Sequence, residues 1–419
     1  MKGKGTSADT LTKAEILDLQ NRKLKKIIKY IGEVPFYKKK LAKEGVDLKK
    51  IRDISDLEKL PFTTKEELRA TNPMERTPLD FRSIAFLFSS SGSTGPPTIY
   101  PWSTKDEHVL RKVAARCMKR VGIGAGDIGL VVAPFGMPIM WYCMVNQYLA
   151  AGAGVVPLGL ASLEVVVNAM STFPITAVAT LPTVATRTMG IMRKERTSFI
   201  KNRLRHFHFG GDYLSNARRR RLQDYFGVEC YDFYGLSEIF GPFSGECKQK
   251  NGLHLASDSV LVEVLDPYTK ELVREGEIGV AVYTTLWEKA APLLRFWSDD
   301  YISMTWGKCE CGRTSPRIRY EGRPNAGVRI GRKWIFAKSI EEIVMSFPKN
   351  SGEWKIEIEG TVKDPIAKLY SEDQHPEIPV EQIEEDVANL LKMPVKMEKV
   401  GAEFWKKGLK SRIVRISDV

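Results

Sequence analysis

The sequence predicts an α/β protein with a large N-terminal domain and a small α+β C-terminal domain. Between about residues 85 and 235, short apolar runs from IAFLFSS to VECYDFYG alternate with helical stretches. This alternation is typical of mostly parallel sheets covered by helices. Two later apolar runs, SVLVEVLDP and IGVAVYTTLW, predict a β-rich subdomain, and the mixed pattern after Gly331 predicts the small domain. We therefore divide the chain into residues 1–328 and 329–419.

The first 75 residues are basic and are predicted to be mainly helical. The segment KAEILDLQNRKLKKIIKYIGEVPFYKKKLAKEG places apolar residues at helical spacing, and Gly32 and Pro35 break the pattern. A further helix is expected in ISDLEKLPFTTKEELRA, with Thr63 or Thr64 as its N-cap.

The composition is that of an ordinary globular protein. The chain has 419 residues, 43% hydrophobic and 27% charged, and no apolar stretch approaches the roughly 18 to 20 residues of a membrane span. Its start lacks the apolar segment of a secretory signal, so we expect a cytoplasmic protein whose 6 cysteines are core residues or metal ligands. The net charge of +13 favours polyanionic ligands, although a solvated lysine surface explains it equally well. The oligomeric state stays open, a homodimer included.

A loop rich in serine and glycine, SSSGSTG at 89–95, follows the first apolar run. Its hydroxyl and backbone N–H groups are suited to bind phosphate oxygens. The lysine of a G-x-x-x-x-G-K-[ST] loop is absent, and Pro96 stands directly after the loop. Because surface loops share this composition, the pattern alone leaves both interpretations open.

Four potential metal ligands occur in two distant segments. Cys247 and His254 form a C-x6-H pattern, and Cys309 and Cys311 form a C-x-C pattern. Three thiolates and one imidazole make a closed tetrahedral ligand set that suits structural zinc. The alternative is a set of buried free cysteines with an ordinary surface histidine.

Several motifs together resemble those of the adenylate-forming enzymes. They are the serine-glycine loop, GGDYLS at 210–215, YGLSE at 234–238, LLRFWSDD at 293–300 and the pair Gly322-Arg323. The segment IGEVPFYKKKLAKEGVDLKKIRDISDLEKLPFTTKEELR is similar to the opening of the phenylacetate-coenzyme A ligase branch, so the resemblance covers nearly the whole chain. It implies that ATP and a carboxylic acid give an acyl-adenylate and pyrophosphate, after which a thiol displaces AMP. In that family the C-terminal domain rotates between the two steps.

The resemblance implies a role for individual residues of these motifs. Glu238 matches the position that binds magnesium, and Tyr234 matches a residue that packs against adenine. Asp300, in preference to Asp299, matches the acceptor of hydrogen bonds from the ribose, and Arg323 would approach the ribose or a phosphate. The other ATP-binding residues that the resemblance implies are Ser90, Ser91, Gly92, Ser93, Thr94, Gly95, Gly211, Asp212, Asp232 and Gly235. The branch also includes members with cysteine and histidine at places similar to the four candidate zinc ligands.

Two positions depart from the family pattern near the nucleotide and the hinge. Pro96 stands where relatives have the lysine of GSTGK, so the cation of the phosphate loop must come from elsewhere. Asn325 replaces a hinge aspartate, which changes the electrostatics of domain rotation without excluding it.

The third departure concerns the lysine that the C-terminal domain presents to the reacting phosphate. Relatives read G-K-x-x-R, and aligning FWKKGLKSRIVRI on Gly408 and Arg412 puts Leu409 at the lysine position. Lys410 lies one residue later and Lys407 two residues earlier. We choose Lys410 as the catalytic lysine, because a shift of one residue in a loop can deliver it.

The resemblance places the acyl pocket at residues 134–149, PFGMPIMWYCMVNQYL, and at the end of YDFYGLSEI. These residues are apolar and aromatic, which favours an aryl or other hydrophobic acid, although the same run also fits a helix that faces the core. The pocket residues that we predict are Phe135, Gly136, Trp141, Phe233 and Ile239.

The sequence therefore predicts an AMP-forming acid–thiol ligase that uses ATP, Mg²⁺ and coenzyme A, carries structural Zn²⁺ and acts on an aryl or arylacetic acid. The first alternative is an adenylyltransferase that modifies a cofactor or another acid without forming a thioester. An alternative of another class is a nucleic-acid-binding protein, indicated by the net charge and by ARRRRLQ at 217–223. No basic platform with interleaved aromatic residues accompanies that run.

Overall fold

The computed structural model describes residues 8–90, 96–195, 203–330, 333–347, 352–360, 365–371, 378–401 and 413–415. Within them the helices are α1 (Lys13–Gly32), α2 (Pro35–Lys43), α3 (Lys65–Ala70), α4 (Thr104–Val121), α5 (Met140–Ala151), α6 (Leu163–Thr172), α7 (Pro182–Glu195), α8 (Asn216–Phe226), α9 (Ala337–Ser346) and α10 (Val380–Leu391).

The strands of the described residues are short in the first half of the chain and longer in the second. They are β1 (Phe86–Ser89), β2 (Ile99–Trp102), β3 (Ile128–Val131), β4 (Gly154–Pro157), β5 (Ala177–Thr180), β6 (His206–Phe209), β7 (Glu229–Leu236), β8 (Phe240–Gly245), β9 (Leu253–Leu255), β10 (Val260–Leu265), β11 (Ile278–Thr285), β12 (Phe296–Thr305), β13 (Arg317–Gly322), β14 (Gly327–Ile330), β15 (Lys333–Phe336), β16 (Trp354–Gly360), β17 (Pro365–Ser371), β18 (Val395–Lys399) and β19 (Ile413–Arg415).

The N-terminal helices begin and end where local sequence signals place them. A capping box starts α1, α3 and α4, so their first backbone N–H groups are satisfied by side chains. Thr64 is the N-cap of α3, whereas the Thr63 hydroxyl donates to the Leu294 carbonyl oxygen at 2.7 Å. As predicted, α1 ends at Gly32 and α2 begins at Pro35.

The chain divides into two compact units, and unit 1 comprises Met1–Leu160 and Tyr231–Tyr320. In this unit β1 and β2 form an antiparallel hairpin, and β3 and β4 pair in parallel. A larger set of strands lies in the order β7-β8-β9-β13-β12-β11-β10. Its pairs β7–β8, β8–β9, β9–β13, β10–β11 and β11–β12 are antiparallel. Helix α4 packs against α5 and β8.

Unit 2 comprises Ala161–Cys230 and Glu321–Val419. Strands β5 and β6 pair in parallel, and β14 and β15 form an antiparallel hairpin. A mixed sheet in the order β18-β17-β16-β19 packs with α9 and α10 around a core that includes Trp354, Leu369 and Val387. Its β17–β18 and β16–β19 pairs are parallel, and its β16–β17 pair is antiparallel.

The predicted α/β class is confirmed, but the sheets are mixed rather than mostly parallel. No α-helix interrupts residues 229–322, all of which are described. Consecutive strands that are joined without a crossover helix pair as antiparallel neighbours, which explains the β7–β8, β8–β9, β10–β11 and β11–β12 pairs. None of the described helices has the length and apolar character needed to cross a bilayer. The division at residues 328 and 329 stays a prediction.

Candidate active site

Strands β7 and β12 bring Tyr234 and Asp300 together inside unit 1. The Tyr234 hydroxyl donates a hydrogen bond to Asp300 Oδ2, and its oxygen lies 2.9 Å from the Tyr283 hydroxyl oxygen. On its other side the Tyr234 ring contacts Tyr320, with ring centroids 5.6 Å apart and planes tilted by 32°. Burial, followed by the Asp300 charge, raises the pKa of Tyr234 well above its usual value, so the hydroxyl remains a donor.

The two adjacent aspartates of β12 differ in environment. Asp300 is fully buried beside Tyr234. The Asp299 side chain is 47% exposed, and its Oδ2 lies 3.9 Å from Lys65 Nζ. Only Asp300 therefore offers a carboxylate to the interior, although its predicted contact with the ribose stays a prediction.

Glu238 lies in the turn that joins β7 to β8 and is buried, with 6% of its surface exposed. Its carboxylate accepts a hydrogen bond from the Tyr100 hydroxyl on β2. Burial and then the charge of Glu238 raise the pKa of Tyr100, which keeps this phenol protonated. The structure thus places the predicted magnesium residue against the strand that follows the serine-glycine loop.

The serine-glycine loop is described only at its ends. Ser90 N donates to the Thr98 carbonyl oxygen, and Thr98 N donates to Ser90 Oγ, both at 3.0 Å. These two hydrogen bonds bring the flanks of the loop together. Ser91, Gly92, Ser93, Thr94 and Gly95 lie outside the described residues, as do Lys407, Leu409 and Lys410.

Strand β7 also carries Asp232 and Gly235. The Asp232 backbone N–H donates to Glu246 Oε2 at 2.8 Å, and Glu246 N donates to the Asp232 carbonyl oxygen at 3.0 Å. A Cβ on Gly235 would lie 2.4 Å from Gly241 Cα, so only glycine allows this close approach of the two backbones. Both residues lie on the strand that holds Tyr234, as the motif requires.

The remaining nucleotide-binding candidates belong to unit 2. Gly211 and Asp212 lie between β6 and α8, where Gly211 has a φ of 81° and Asp212 Oδ1 accepts a hydrogen bond from Tyr213 N at 2.9 Å. Arg323 follows β13 directly and is partly buried. Their predicted contacts with ATP stay predictions.

The residues predicted to line the acyl pocket fall into two groups. Phe135 and Trp141 make an edge contact with ring centroids 5.0 Å apart, and Trp141 Nε1 donates to the Gly136 carbonyl oxygen at 2.7 Å. Half of the Phe135 surface is exposed. Phe233 and Ile239 are instead buried in the core. The first group therefore forms an accessible aromatic cluster, and the second group does not reach solvent in this structure.

The four candidate zinc ligands converge in unit 1. The pairing of β9 with β13 aligns His254 with Arg317, and this register brings the two distant sequence segments together. All four ligand atoms lie within 4.8 Å of one another. Cys247 Sγ lies 3.9 Å from Cys309 Sγ, and Cys311 Sγ lies 3.4 Å from His254 Nε2.

Surrounding groups hold this Cys/His cluster in place. His254 Nδ1 lies 3.0 Å from Ser315 Oγ, which orients the ring with Nε2 toward the thiols. Burial, and then the neighbouring Arg120, lower the pKa of His254 to about 4, so its imidazole is neutral near pH 7. Arg120 Nη1 donates to the His254 carbonyl oxygen at 2.9 Å and pairs with Asp9 at 2.7 Å. No sequence motif predicted this supporting ion pair.

Comparisons with known proteins identify the family of this chain. A family model described as AMP-binding enzyme matches residues 14–284. A phenylacetate-coenzyme A ligase of Thermus thermophilus is 31% identical over 86% of this chain and 82% of its own length. One of Aromatoleum evansii is 28% identical over 87% and 84%, and one of Escherichia coli is 26% identical over 84% and 80%.

The chain belongs to the AMP-binding enzyme family, in its phenylacetate-coenzyme A ligase branch. The predicted membership is therefore confirmed. Among solved structures, 2-hydroxyisobutyryl-CoA ligase in the postadenylation state has a TM-score of 0.88 at 22% identity, covering 97% of this chain and 91% of that chain. The same enzyme in the thioesterification state has a TM-score of 0.72 at 23% identity, with the same coverage. These likenesses support the α/β fold.

The arginine run of this AMP-binding enzyme does not form a free basic surface. On α8, Arg218 is buried against Glu341 of α9, with Nη2 2.6 Å from Oε2. Arg219 Nη1 donates to the Cys230 carbonyl oxygen at 2.6 Å, and Arg220 pairs with Glu342 at 3.2 Å. Because these guanidinium groups are engaged within unit 2, the run offers little to a nucleic acid.

Three buried side chains near Glu238 were missed by the sequence motifs. Lys289, Arg76 and Trp102 each keep N–H groups without a hydrogen-bond partner among the described residues. In a chain with 64 lysine and arginine residues, nothing in the local sequence distinguishes a buried cation from a surface cation.

Proposed function

We propose that this AMP-binding enzyme activates a carboxylic acid with ATP and then transfers the acyl group to coenzyme A. In the first step an oxygen of the acid would attack the α-phosphorus of ATP, and the bond to pyrophosphate would break. In the second step the sulfur of coenzyme A would attack the acyl carbon and AMP would leave. The observation that carries the proposal is the buried pair of Tyr234 and Asp300, in a chain whose relatives are phenylacetate-coenzyme A ligases.

The nucleotide site that we propose follows from this pair. Because the Tyr234 hydroxyl donates its hydrogen bond to Asp300, we propose that Tyr234 packs against adenine through its flat ring. The Asp300 carboxylate would accept hydrogen bonds from the ribose hydroxyls. Gly211, Asp212, Asp232, Gly235 and Arg323 would complete the contacts with the nucleoside. The phosphates would contact Ser90 and the loop residues 91–95.

Glu238 is the residue that we propose for magnesium. Carboxylate oxygens are the ligands that Mg²⁺ prefers, and the ion usually completes its shell with phosphate oxygens and water. The Glu238 carboxylate fits this role because it is held by the Tyr100 hydroxyl and lies beside the strand that leaves the phosphate loop. Bound Mg²⁺ would offset the charge that develops at the reacting phosphoryl group.

The acid is proposed to be aryl or arylacetic. The exposed aromatic cluster of Phe135 and Trp141 supports this choice, because flat rings pack well against aromatic edges. The name that the three reported relatives share, phenylacetate-coenzyme A ligase, points in the same direction. Lys410 remains the proposed cation from the C-terminal domain, and residues 329–419 remain the proposed mobile domain. The cytoplasmic location and the open possibility of a homodimer also remain predictions.

We also propose that Cys247, His254, Cys309 and Cys311 hold a structural zinc ion. Tetrahedral coordination with Zn–S bonds of about 2.3 Å and Zn–N bonds of about 2.0 Å places two sulfurs about 3.8 Å apart and a sulfur and a nitrogen about 3.5 Å apart. The observed separations of 3.9 Å and 3.4 Å match these values. The neutral imidazole and its bond to Ser315 fit a ligand histidine.

A screen for acid-dependent pyrophosphate release tests the proposed activity. Aryl, arylacetic and fatty acids would be supplied with ATP and Mg²⁺, with and without coenzyme A. We expect release with an aryl or arylacetic acid, and acyl-CoA in the complete mixture. Adenylate without acyl-CoA would instead support an adenylyltransferase, which is the second candidate.

A further inference from the structure

A row of unpartnered N–H donors lies along one face of β2 in unit 1. Tyr100 and Trp102 are two residues apart on this strand, so their side chains lie on the same face. The Arg76 guanidinium lies 5.5 Å from the centroid of the Tyr100 ring, and Lys289 Nζ lies 5.3 Å from the centroid of the Trp102 ring. The cationic groups of Arg76 and Lys289 thus lie over the neighbouring rings of Tyr100 and Trp102.

Both cations are buried and incompletely bonded. Lys289 has no exposed surface, and its Nζ has no hydrogen-bond partner among the described residues. Arg76 is 3% exposed, and it donates from Nη2 to the Ile99 carbonyl oxygen but leaves Nε and Nη1 unpartnered in the same residues. Trp102 Nε1 is also unpartnered there. A buried charge of this kind is costly unless an anion or several acceptors meet it.

The nearby carboxylates do not supply those acceptors. Asp106 Oδ1 accepts from Trp287 Nε1 at 2.8 Å, and Oδ2 accepts from Ala290 N at 3.1 Å and from its helix cap at Ser103. Glu238 accepts from Tyr100. Burial lowers the pKa of Lys289, while Asp106 and Glu238 raise it from a distance. The two acids therefore stabilise the ammonium electrostatically, but neither hydrogen-bonds to it.

We propose that Lys289 and Arg76 form a buried subsite for the pyrophosphate portion of ATP, an inference that rests on the proposed function. The ligand expected here is a polyanion, because every unpartnered group in the row is a hydrogen-bond donor and two of the side chains, Lys289 and Arg76, are cationic. The subsite lies next to the proposed phosphate-binding residues. Strand β2 follows the serine-glycine loop in the chain, and its Tyr100 hydroxyl donates a hydrogen bond to Glu238. The serine-glycine loop lacks a positive charge because Pro96 stands where relatives have lysine, and the subsite supplies that charge instead.

Calorimetry with inorganic pyrophosphate in the absence of Mg²⁺ tests the subsite without requiring turnover. The full-length, zinc-replete protein would be titrated in a buffer without added Mg²⁺, beside Lys289→Met and the matched control Lys105→Met. Lys105 is 55% exposed and pairs with Glu288, next in sequence to Lys289. We expect Lys289→Met to weaken pyrophosphate binding at least tenfold and Lys105→Met to change it less than twofold.

Two further measurements identify the class of anion that binds and control for misfolding of the variants. Inorganic phosphate should bind more weakly than pyrophosphate, and phenylacetate at equal ionic strength should not displace pyrophosphate. Without ligand, Lys289→Met should melt at the same or a higher temperature than wild type, because an unpaired buried charge is replaced by a chain of similar length. If that variant does not fold, Arg76→Met tests the second cation and should weaken pyrophosphate binding at least tenfold.

Three results would overturn the subsite: equal pyrophosphate binding by wild type and a folded Lys289→Met, displacement by phenylacetate, or no pyrophosphate binding by wild type. The proposed function is judged separately. Pyrophosphate binding that depends on Lys289, without activation of any acid, would contradict the proposed function and support the anion subsite. Acid activation with Lys289-independent pyrophosphate binding would remove only the subsite.

Discussion

The Tyr234 hydroxyl donates its hydrogen bond to Asp300 Oδ2, which joins β7 to β12 at the centre of the candidate nucleotide site. Asp300→Asn should lower kcat/KM for ATP by roughly 10- to 100-fold, because hydrogen bonds to a charged group contribute about 1.5–3 kcal/mol. Asp299→Asn is the matched control, since that neighbour is half exposed. Steady-state kinetics at saturating acid measure both variants. Equal losses in the two variants would contradict the assignment of Asp300.

Glu238→Gln should remove most of the adenylation rate while weakening ATP binding only modestly. The carboxylate charge is needed mainly as the phosphoryl centre reacts, so its loss acts on kcat more than on KM. Glu288→Gln serves as the control, because the Glu288 side chain is 49% exposed and pairs with Lys105. A wild-type adenylation rate in Glu238→Gln would disprove the magnesium role.

Purified protein should contain about one zinc ion per chain, and Cys309→Ser should lower both the zinc content and the melting temperature. A structural zinc ion contributes its binding energy to folding, so a fall of more than about 4 °C is expected. Cys230→Ser is the control, because Cys230 is a fully buried cysteine outside the Cys/His cluster. Elemental analysis and calorimetry measure the two quantities. Metal-free protein with an unchanged melting temperature in Cys309→Ser would exclude the site.

The buried pair of Arg218 and Glu341 should favour the state in which α9 packs on α8. Glu341→Gln leaves Arg218 buried without its counter-charge, and breaking a buried pair costs about 3–5 kcal/mol. We expect slower acid-dependent adenylation and a retained thioester step from preformed acyl-adenylate, measured in single turnovers. Glu342→Gln, which removes the exposed partner of Arg220, should change neither step. Equal effects on both steps in Glu341→Gln would argue against domain rotation.

Lys410→Ala should slow acid-dependent exchange of pyrophosphate into ATP by orders of magnitude and leave the thiol step on preformed acyl-adenylate nearly intact. The resemblance to the adenylate-forming enzymes implies that the C-terminal domain presents a different face in each step. Lys407→Ala is the comparison. If both variants exchange pyrophosphate like wild type, the catalytic cation comes from elsewhere.

Local patterns predicted much of the fold and part of the site. The alternation of apolar and helical stretches gave the α/β class, and the breaks at Gly32 and Pro35 gave the limits of α1 and α2. The motifs also named Tyr234 and Asp300, which the structure brings together. Such predictions succeed because turn, cap and motif signals are encoded within a few residues of one another.

Long-range partners could not be predicted in the same way. Arg218 has the sequence context of an exposed basic helix, and only the packing of α9 supplies Glu341 as its buried partner. Lys289 looks like a surface lysine between two strands, and its burial depends on β2 and Trp102. The identity of a contact across such distances is set by tertiary packing, which a local pattern does not contain.

The most direct test of the account is acid-dependent exchange of labelled pyrophosphate into ATP, followed by addition of coenzyme A. Exchange requires reversible formation of an acyl-adenylate, so it reports the first step without the second. We predict exchange with an aryl or arylacetic acid, none without acid, and acyl-CoA with release of AMP once coenzyme A is present. A folded, zinc-replete preparation that shows no exchange with any carboxylic acid tested would contradict the proposed function.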